Sequence, residues 1–315
     1  SPKPSTSLSC DPPLAHGACW AIDKAAPITC DNAYPLQVLK NSRDRYSIGA
    51  LDQETGEYNA MPGYSEMAWS DGLHINAVSQ WTSPETGDHF VFASVQGELC
   101  RINANGRDCF TNGALEDKAN AGAVIGDNYY YGSNVGDGDT TSILWVSGLG
   151  EVNPTFHTDK SFLINGSLFQ YRILDFAPLA HGLHSTDALI NDGVNGSSYL
   201  IGIGGGFEVF VSRIATTGAP ESYAVLDDTT IDWDDGTEVP DGVFGAAFAY
   251  QSGNDAELFF AENGGAGLFR LELPLTIPSS CWNADNVTSG HDTCSEQASL
   301  VRIGPSSETE SNDGM

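Results

Sequence analysis

The chain has 315 residues, 40% of them hydrophobic, with 35 glycines and 15 prolines, and its 42 acidic side chains against 13 basic ones give a formal net charge of -29. A field of that sign argues against nucleic acid and anionic membranes as partners; it attracts Ca²⁺, cationic ligands or basic protein patches, or serves solubility alone. No run approaches the roughly 20 apolar residues that a membrane span requires, and a chain of this size can bury a core without help from a metal or a disulfide.

In chain order, residues 1–9 have linker composition, and their prolines favour an extended, polyproline-like path. The opening Ser-Pro-Lys-Pro carries neither a Met nor an apolar leader, as expected of a processed product. Residues 10–33 contain Cys10, Cys19, Cys30 and Trp20 but no clear period. Together, residues 1–33 read as a Pro/Ser-rich, disulfide-stapled N-terminal arm. From Tyr34 the strand pattern begins. Tyr46 to Tyr58 reads as strand, Gly-containing turn, strand, with the same spacing as Leu99 to Cys109, and both are expected to be the outer hairpin of a repeated unit.

That unit recurs four times. One copy runs Ile75-Asn-Ala-Val78, Phe90 to Ser94 and Gly97 to Ile102; the next runs Asn120 to Ile125, Tyr129 to Ser133 and Ile143 to Val146. A third runs Asp187 to Ile190, Tyr199 to Gly204 and Phe207 to Val211; a fourth runs Phe244 to Phe248, Glu257 to Ala261 and Gly267 to Leu271. Further strand candidates are Lys160 to Ile164 and Leu168 to Phe176. After Leu273-Pro-Leu-Thr-Ile-Pro278 comes a cysteine loop, then a last apolar stretch, 298–303, and an acidic tail, 304–315, of disordered composition.

No convincing amphipathic helix interrupts these strands, which argues against a parallel βαβ sheet. Short strands recurring every 45 to 65 residues or so are the mark of propeller blades. The fold expected over residues 34–303 is therefore an all-β propeller of about five to seven blades, closed by strands from the two ends of the chain. Residues 298–303 are the expected closing strand, pairing near residues 34–50. Ala77, Ala123, Ala188 and Ala247 are expected to begin the innermost strands, where converging blades leave no room for large side chains.

The seven cysteines lack the tight spacing of a zinc site and lie mostly in polar loops, which points to disulfides and an oxidising, extracellular compartment. Cys100 and Cys109 flank a stretch with Asn-Gly near its tip and can pin a hairpin; Cys281 and Cys294 bracket a polar loop. Cys19 with Cys30 is the third expected pair. Cys10 is then left over for an intermolecular bridge, or for a partner beyond Met315. Sequons at Asn165, Asn195 and Asn286 fit a secreted glycoprotein.

Two acidic loops are the candidate Ca²⁺ sites: Asp232, Asp234, Asp235 and Glu238 in one, and Asn134, Asp137 and Asp139 in the other. Neither follows the EF-hand spacing, and exposed acidic loops are ordinary in so acidic a chain. His181, His184 and Asp187 group closely but match no zinc motif. There is no Gly-x-Ser-x-Gly elbow or phosphate loop, so no catalytic residue is assigned and the chain is not expected to be an enzyme. The run Tyr129-Tyr130-Tyr131 alternates faces if it is a strand, placing at least one ring toward solvent or an interface.

Tyr46 to Glu57, His74 to Ala77, Gly97 to Ile102 and Phe244 to Trp282 together resemble the propeller-like domains of unknown function in secreted surface proteins of algae and other microbial eukaryotes. The resemblance covers about residues 34–303, supplies no catalytic residues, and implies a surface or assembly role. The function expected is that of a secreted, glycosylated structural or adhesive subunit of an extracellular assembly. Self-association into a homo-oligomer or filament would run through the N-terminal arm adding a strand to a neighbour's sheet edge. The alternative is a propeller that binds or processes carbohydrate, with glycans engaged on its axial face.

Overall fold

The structure is a computed structural model, and it describes residues 35–40, 45–52, 55, 57–61, 64, 66–115, 119–135, 140–151, 154–157, 163–165, 173, 175–181, 189–233, 244–252, 255–283, 294–306 and 312–314. Regular structure among these residues is almost entirely β-strand. The chain first forms β1 (Leu36–Lys40), β2 (Tyr46–Leu51) and β3 (Tyr58–Ala60), then β4 (Ile75–Thr82), β5 (His89–Val95), β6 (Glu98–Asn103) and β7 (Gly106–Ala114). Next come β8 (Ala119–Ile125), β9 (Asn128–Val135), β10 (Thr140–Ser147), β11 (Thr155–His157) and β12 (Leu163–Asn165). They are followed by β13 (Ala177–Leu179), β14 (Ile190–Asn191), β15 (Ser198–Ile203), β16 (Val209–Ile214) and β17 (Pro220–Asp232). The remainder is β18 (Phe244–Ser252), β19 (Asp255–Glu262), β20 (Leu268–Leu271), β21 (Leu275–Thr276), β22 (Cys294–Gly304) and β23 (Asn312–Gly314).

Antiparallel pairing groups these strands into four-stranded meanders: β23-β1-β2-β3, β4 to β7, β8 to β11 with β12 also on β10, β13-β15-β16-β17, and β18-β19-β20-β22. We number them units one to five. The edge strands β4, β8, β13, β18 and β23 pack in a cycle, β4 on β8, β8 on β13, β13 on β18, β18 on β23 and β23 on β4. Such consecutive meanders with converging first strands are propeller-like.

Hydrophobic burial follows the same cycle. Five apolar clusters fill the seams between successive units: Leu36, Val38 and Ile48 against Val91 and Ala93; Phe92 and Phe110 against Tyr129 and Leu144; Ile143 against Leu200 and Phe210; Ile201 and Val211 against Phe260 and Leu271; and Phe248 and Phe259 against Leu51. The middle strands of these units, β9, β15, β16 and β19 among them, therefore bury both faces. Tyr129 and Tyr131 look into one seam and Tyr130 into the next, all three fully or almost fully buried. The same alternation divides Phe210 from Val209 and Val211, and Phe259 from Leu258 and Phe260. Two buried faces explain why these strands read as continuous apolar runs rather than alternating ones.

Close approach dictates composition where the inner strands meet. A Cβ on Gly122 would overlap the backbone of Ala77, so β8 can lie against β4 only with glycine at that position. Ala77 itself has φ 55, in the left-handed region, and sits at the bulge where the β4–β5 register slips between Asn76 and Ser79. Ala77, Ala123 and Ala247 are buried in β4, β8 and β18 as expected; Ala188 lies outside the described residues. The expected outer hairpins β2–β3 and β6–β7 both form. The tip of the second is Ala104-Asn105, with Gly106 opening β7 opposite Asn103.

Three expectations need correction. Residues 298–303 do not pair with the first unit: they belong to β22, antiparallel to β20 and parallel to β17. Unit five would have only three strands without them, and Ala298 and Leu300 are buried in the seam with unit four. Nor is the whole of 304–315 an irregular tail: Gly304 ends β22, and Asn312–Gly314 forms β23, which takes the open edge of β1 with Gln37 opposite Gly314, Val38 opposite Asp313 and Leu39 opposite Asn312. In the third copy, Ile190–Asn191 is not the inner strand but pairs in parallel with β21. The inner strand is β13, whose Pro178 disguises it; an edge strand tolerates the missing N–H.

Candidate functional site

Of the Ca²⁺ candidates, Asp232 is exposed at the end of β17 and Asn134 lies in β9, whereas Asp137, Asp139, Asp234, Asp235 and Glu238 fall outside the described residues. Among the described residues no group of three or more His, Cys, Asp or Glu side chains is placed to hold a metal ion. Disulfides join Cys100 to Cys109 and Cys281 to Cys294. The first links directly opposed residues of β6 and β7. The second ties the turn after Ile277 to the start of β22, beside Leu226 of β17. Cys10, Cys19 and Cys30, with the whole arm 1–33, lie outside the described residues. Asn195 is exposed in a bend between β14 and β15, Asn165 is the last residue of β12, and Asn286 is outside the described residues.

Two polar clusters emerge that sequence spacing did not single out. Asp175, almost fully buried just before β13, is the first. Its Oδ1 accepts hydrogen bonds from the backbone N–H groups of Phe176 (2.8 Å) and Gly122 (3.2 Å), and its Oδ2 accepts one from Ala247 (2.7 Å). One carboxylate thus pins β8, β13 and β18, the inner strands of units three, four and five. Inner-strand edges have N–H groups with no ladder partner, and an anionic acceptor satisfies several at once. The sequence signal was available: a single carboxylate inside Ile173-Leu-Asp-Phe-Ala177 is too costly to bury without such partners.

The second cluster lies in unit four beneath the Asn195 bend. Asp192, with a side chain 0% exposed, accepts hydrogen bonds from the Tyr199 hydroxyl (3.0 Å), from Arg213 (3.3 Å) and, through Oδ1, from the N–H of Val194 (2.8 Å). Arg213 also lies 3.7 Å from Glu221 and sets its guanidinium 4.8 Å from the centre of the Trp282 ring. Burial, reinforced by the Asp192 charge, pushes the Tyr199 hydroxyl well above the ordinary phenol range; burial alone raises Tyr223 to about 12. The Tyr199 hydroxyl therefore stays neutral and donates to Asp192 at physiological pH. With Tyr199, Arg213 and the Val194 N–H all bonded to Asp192, the cluster acts as a brace beneath the Asn195 bend.

The tyrosine run is an interface device. The Tyr129 hydroxyl donates to the carbonyl of Ala77 in unit two, and the Tyr130 hydroxyl donates to Gly218 of unit four at 2.6 Å. Trp145 stands between its cross-strand neighbours Tyr130 and His157, both parallel to it, the latter at 3.6 Å between ring centres. The imidazole of His157 covers one face of that indole. A surface groove of about 590 Å³ is lined by Leu189, Ala256, Leu271 and Leu273 and by Glu257 and Arg270, which pair with each other at 3.2 Å.

No family model matches the chain, and no curated protein matches it. Solved structures similar to it include BBS1N in complex with ARL6DN, at 13% identity and a TM-score of 0.35, covering 84% of this chain and 67% of that one. A nidogen/laminin complex matches at 11% identity and a TM-score of 0.35, covering 86% of each chain. The BP39L lectin from Burkholderia pseudomallei matches at 13% identity and a TM-score of 0.32, covering 84% of this chain and 72% of that one. Superpositions this loose leave the fold to be argued from the strands themselves. No helix among the described residues is long and apolar enough to cross a membrane.

Proposed function

We propose that the chain is a five-bladed propeller, closed where Asn312–Gly314 joins the sheet of Leu36–Lys40, and that it serves as a secreted, glycosylated structural or adhesive subunit of an extracellular assembly. The observation that carries this reading is where the two disulfides lie. One locks an outer hairpin of unit two, and the other fastens the turn before β22 to the parallel seam between units four and five. Disulfides persist in oxidising compartments, and here they stiffen a frame rather than shape a cleft. The exposed Asn195 bend, held from below by Asp192, is suited to carry a glycan. The buried charges described above hold inner strands or loops in place, as befits a scaffold.

Light scattering and negative-stain microscopy of the full chain test the proposal. Oligomers or fibres support it, together with their loss on deletion of residues 1–33 if the arm is the connecting element. A monomer that binds glycans saturably on an array, through residues at the start of the inner strands, would replace it with the carbohydrate-binding reading.

A further inference from the structure

The five seams are not joined alike. Units one and two are tied by hydrogen bonds from Ile75 N–H to the Tyr46 hydroxyl and from the Trp69 indole to the Asn103 carbonyl; units two and three, by the Asn76–Asn120 carboxamide pair and Tyr129. Tyr130 and Asp175 tie units three and four, and Asp175 with the β17–β22 ladder ties four and five. The seam between units five and one is packed by apolar side chains, Phe248, Phe259, Ala261 and Leu268 against Leu51 and Tyr58. By strand alternation Gln37 faces the same seam, because it pairs with Gly49, two residues from Leu51. Its side chain is fully buried, and neither end of its carboxamide has a partner among the described residues; the buried Tyr58 hydroxyl has none either. Buried polar groups without partners favour opening, since water satisfies them. Among the described residues the ladder at this seam's inner end is that of β23, three residues long, against a β1 of five.

We infer that the inner edge of Leu36–Lys40 is a docking surface for the Asn312–Gly314 strand of a second copy of this chain. The strand that fits this edge within one molecule fits it with the same register between two, so reciprocal exchange keeps the β1–β23 ladder. Reciprocal exchange gives a closed dimer, and one-way exchange gives an open chain of subunits. The inference rests on the reading of the protein as a self-assembling subunit and places the connecting element at β23 rather than in the arm.

The test is a Leu39→Cys/Asn312→Cys chain, which puts thiols on residues paired in register. Oxidised when dilute, it is expected to give intrachain cross-links. Oxidised after incubation at high concentration, it is expected to give a reducible ladder of covalent dimers and higher species that neither single variant forms. Intrachain cross-links at every concentration, in a sample that scatters light as an oligomer, would overturn strand exchange and leave the assembly reading standing. A chain that scatters as a monomer throughout would remove both. Should the cysteines disturb folding, mixed isotopically heavy and light copies of the unmodified chain can be coupled with a carbodiimide between Lys40 and Asp313. Heavy–light peptide pairs support exchange; pairs of one isotope alone refute it.

Discussion

The seam between units four and five and the seam between units five and one present opposite solutions to the same problem. In the first, two outer strands run on past their own sheets and pair in parallel, from Leu226 opposite Cys294 to Asp232 opposite Val301. Asp175 secures its inner end with a charged acceptor, and the Cys281–Cys294 bridge secures its outer one. In the second, apolar side chains pack the seam, with two buried polar groups that have no partner among the described residues and a three-residue strand at the inner end. Apolar contact carries most of the alignment of the two sheets there, and the polar ties of the first seam are expected to make it the more resistant to opening. Hydrophobic burial is non-directional, whereas a hydrogen-bonded ladder or a pinned carboxylate is lost all at once.

Substitutions can break or sharpen that contrast, and Asp175→Ala should have the largest effect. It leaves the buried N–H groups of Gly122, Phe176 and Ala247 without an acceptor, at about 1–3 kcal/mol for each group orphaned. Urea denaturation should show a loss larger than that of any single apolar truncation in the closing seam; an equal loss would erase the distinction between the two seams. Arg213→Met comes next. It strands the fully buried Asp192 carboxylate and should cost about 3–5 kcal/mol, much of it recovered when Asp192→Asn is added, in a double-mutant cycle read by thermal unfolding.

Removing the Cys281–Cys294 bridge by paired serine substitutions should cost about 3 kcal/mol from loop closure alone, and removing Cys100–Cys109 slightly less. Limited proteolysis should then find new cleavage near β22 in the first variant and not in the second. The smallest effect has the opposite sign. Tyr58→Phe and Gln37→Leu delete unpaired buried polar atoms, so each should be neutral or raise stability by about 1 kcal/mol. A clear destabilisation by either would show that the closing seam is hydrogen-bonded after all, and would remove the reason for expecting it to open first.

Particular residues show how far the sequence could be read. Gly97 to Ile102, Tyr129 to Ser133 and Glu257 to Ala261 were legible as strands because β-branched and aromatic residues cluster between turn-forming glycines and asparagines. The Cys100–Cys109 and Cys281–Cys294 pairings were legible because each joins cysteines close in sequence across a polar loop. The inner strand Ala177–Leu179 was not, since three residues with a central proline carry no periodic signal. Nor was the placement of 298–303, because an apolar strand fits either side of a seam equally well and only the missing fourth strand of unit five distinguishes them. For Asp175 the apolar run around it marks a buried carboxylate, but not its partners, because the backbone N–H groups of Gly122 and Ala247 are distant in the chain and carry no sequence signature.

By itself, then, the sequence determined the local features: an all-β chain, its hairpins and their cysteine pairs, small residues where strands converge, and a strongly acidic balance. These depend on neighbours in the chain, through side-chain shape, turn geometry and loop length. The tertiary structure alone decided which face of each strand meets which seam, that β23 and not β22 lies beside β1, and that Asp175 and Asp192 are buried as acceptors. Those outcomes depend on groups brought together from distant units, where a charge has no water left to solvate it and must take whatever donors the fold supplies.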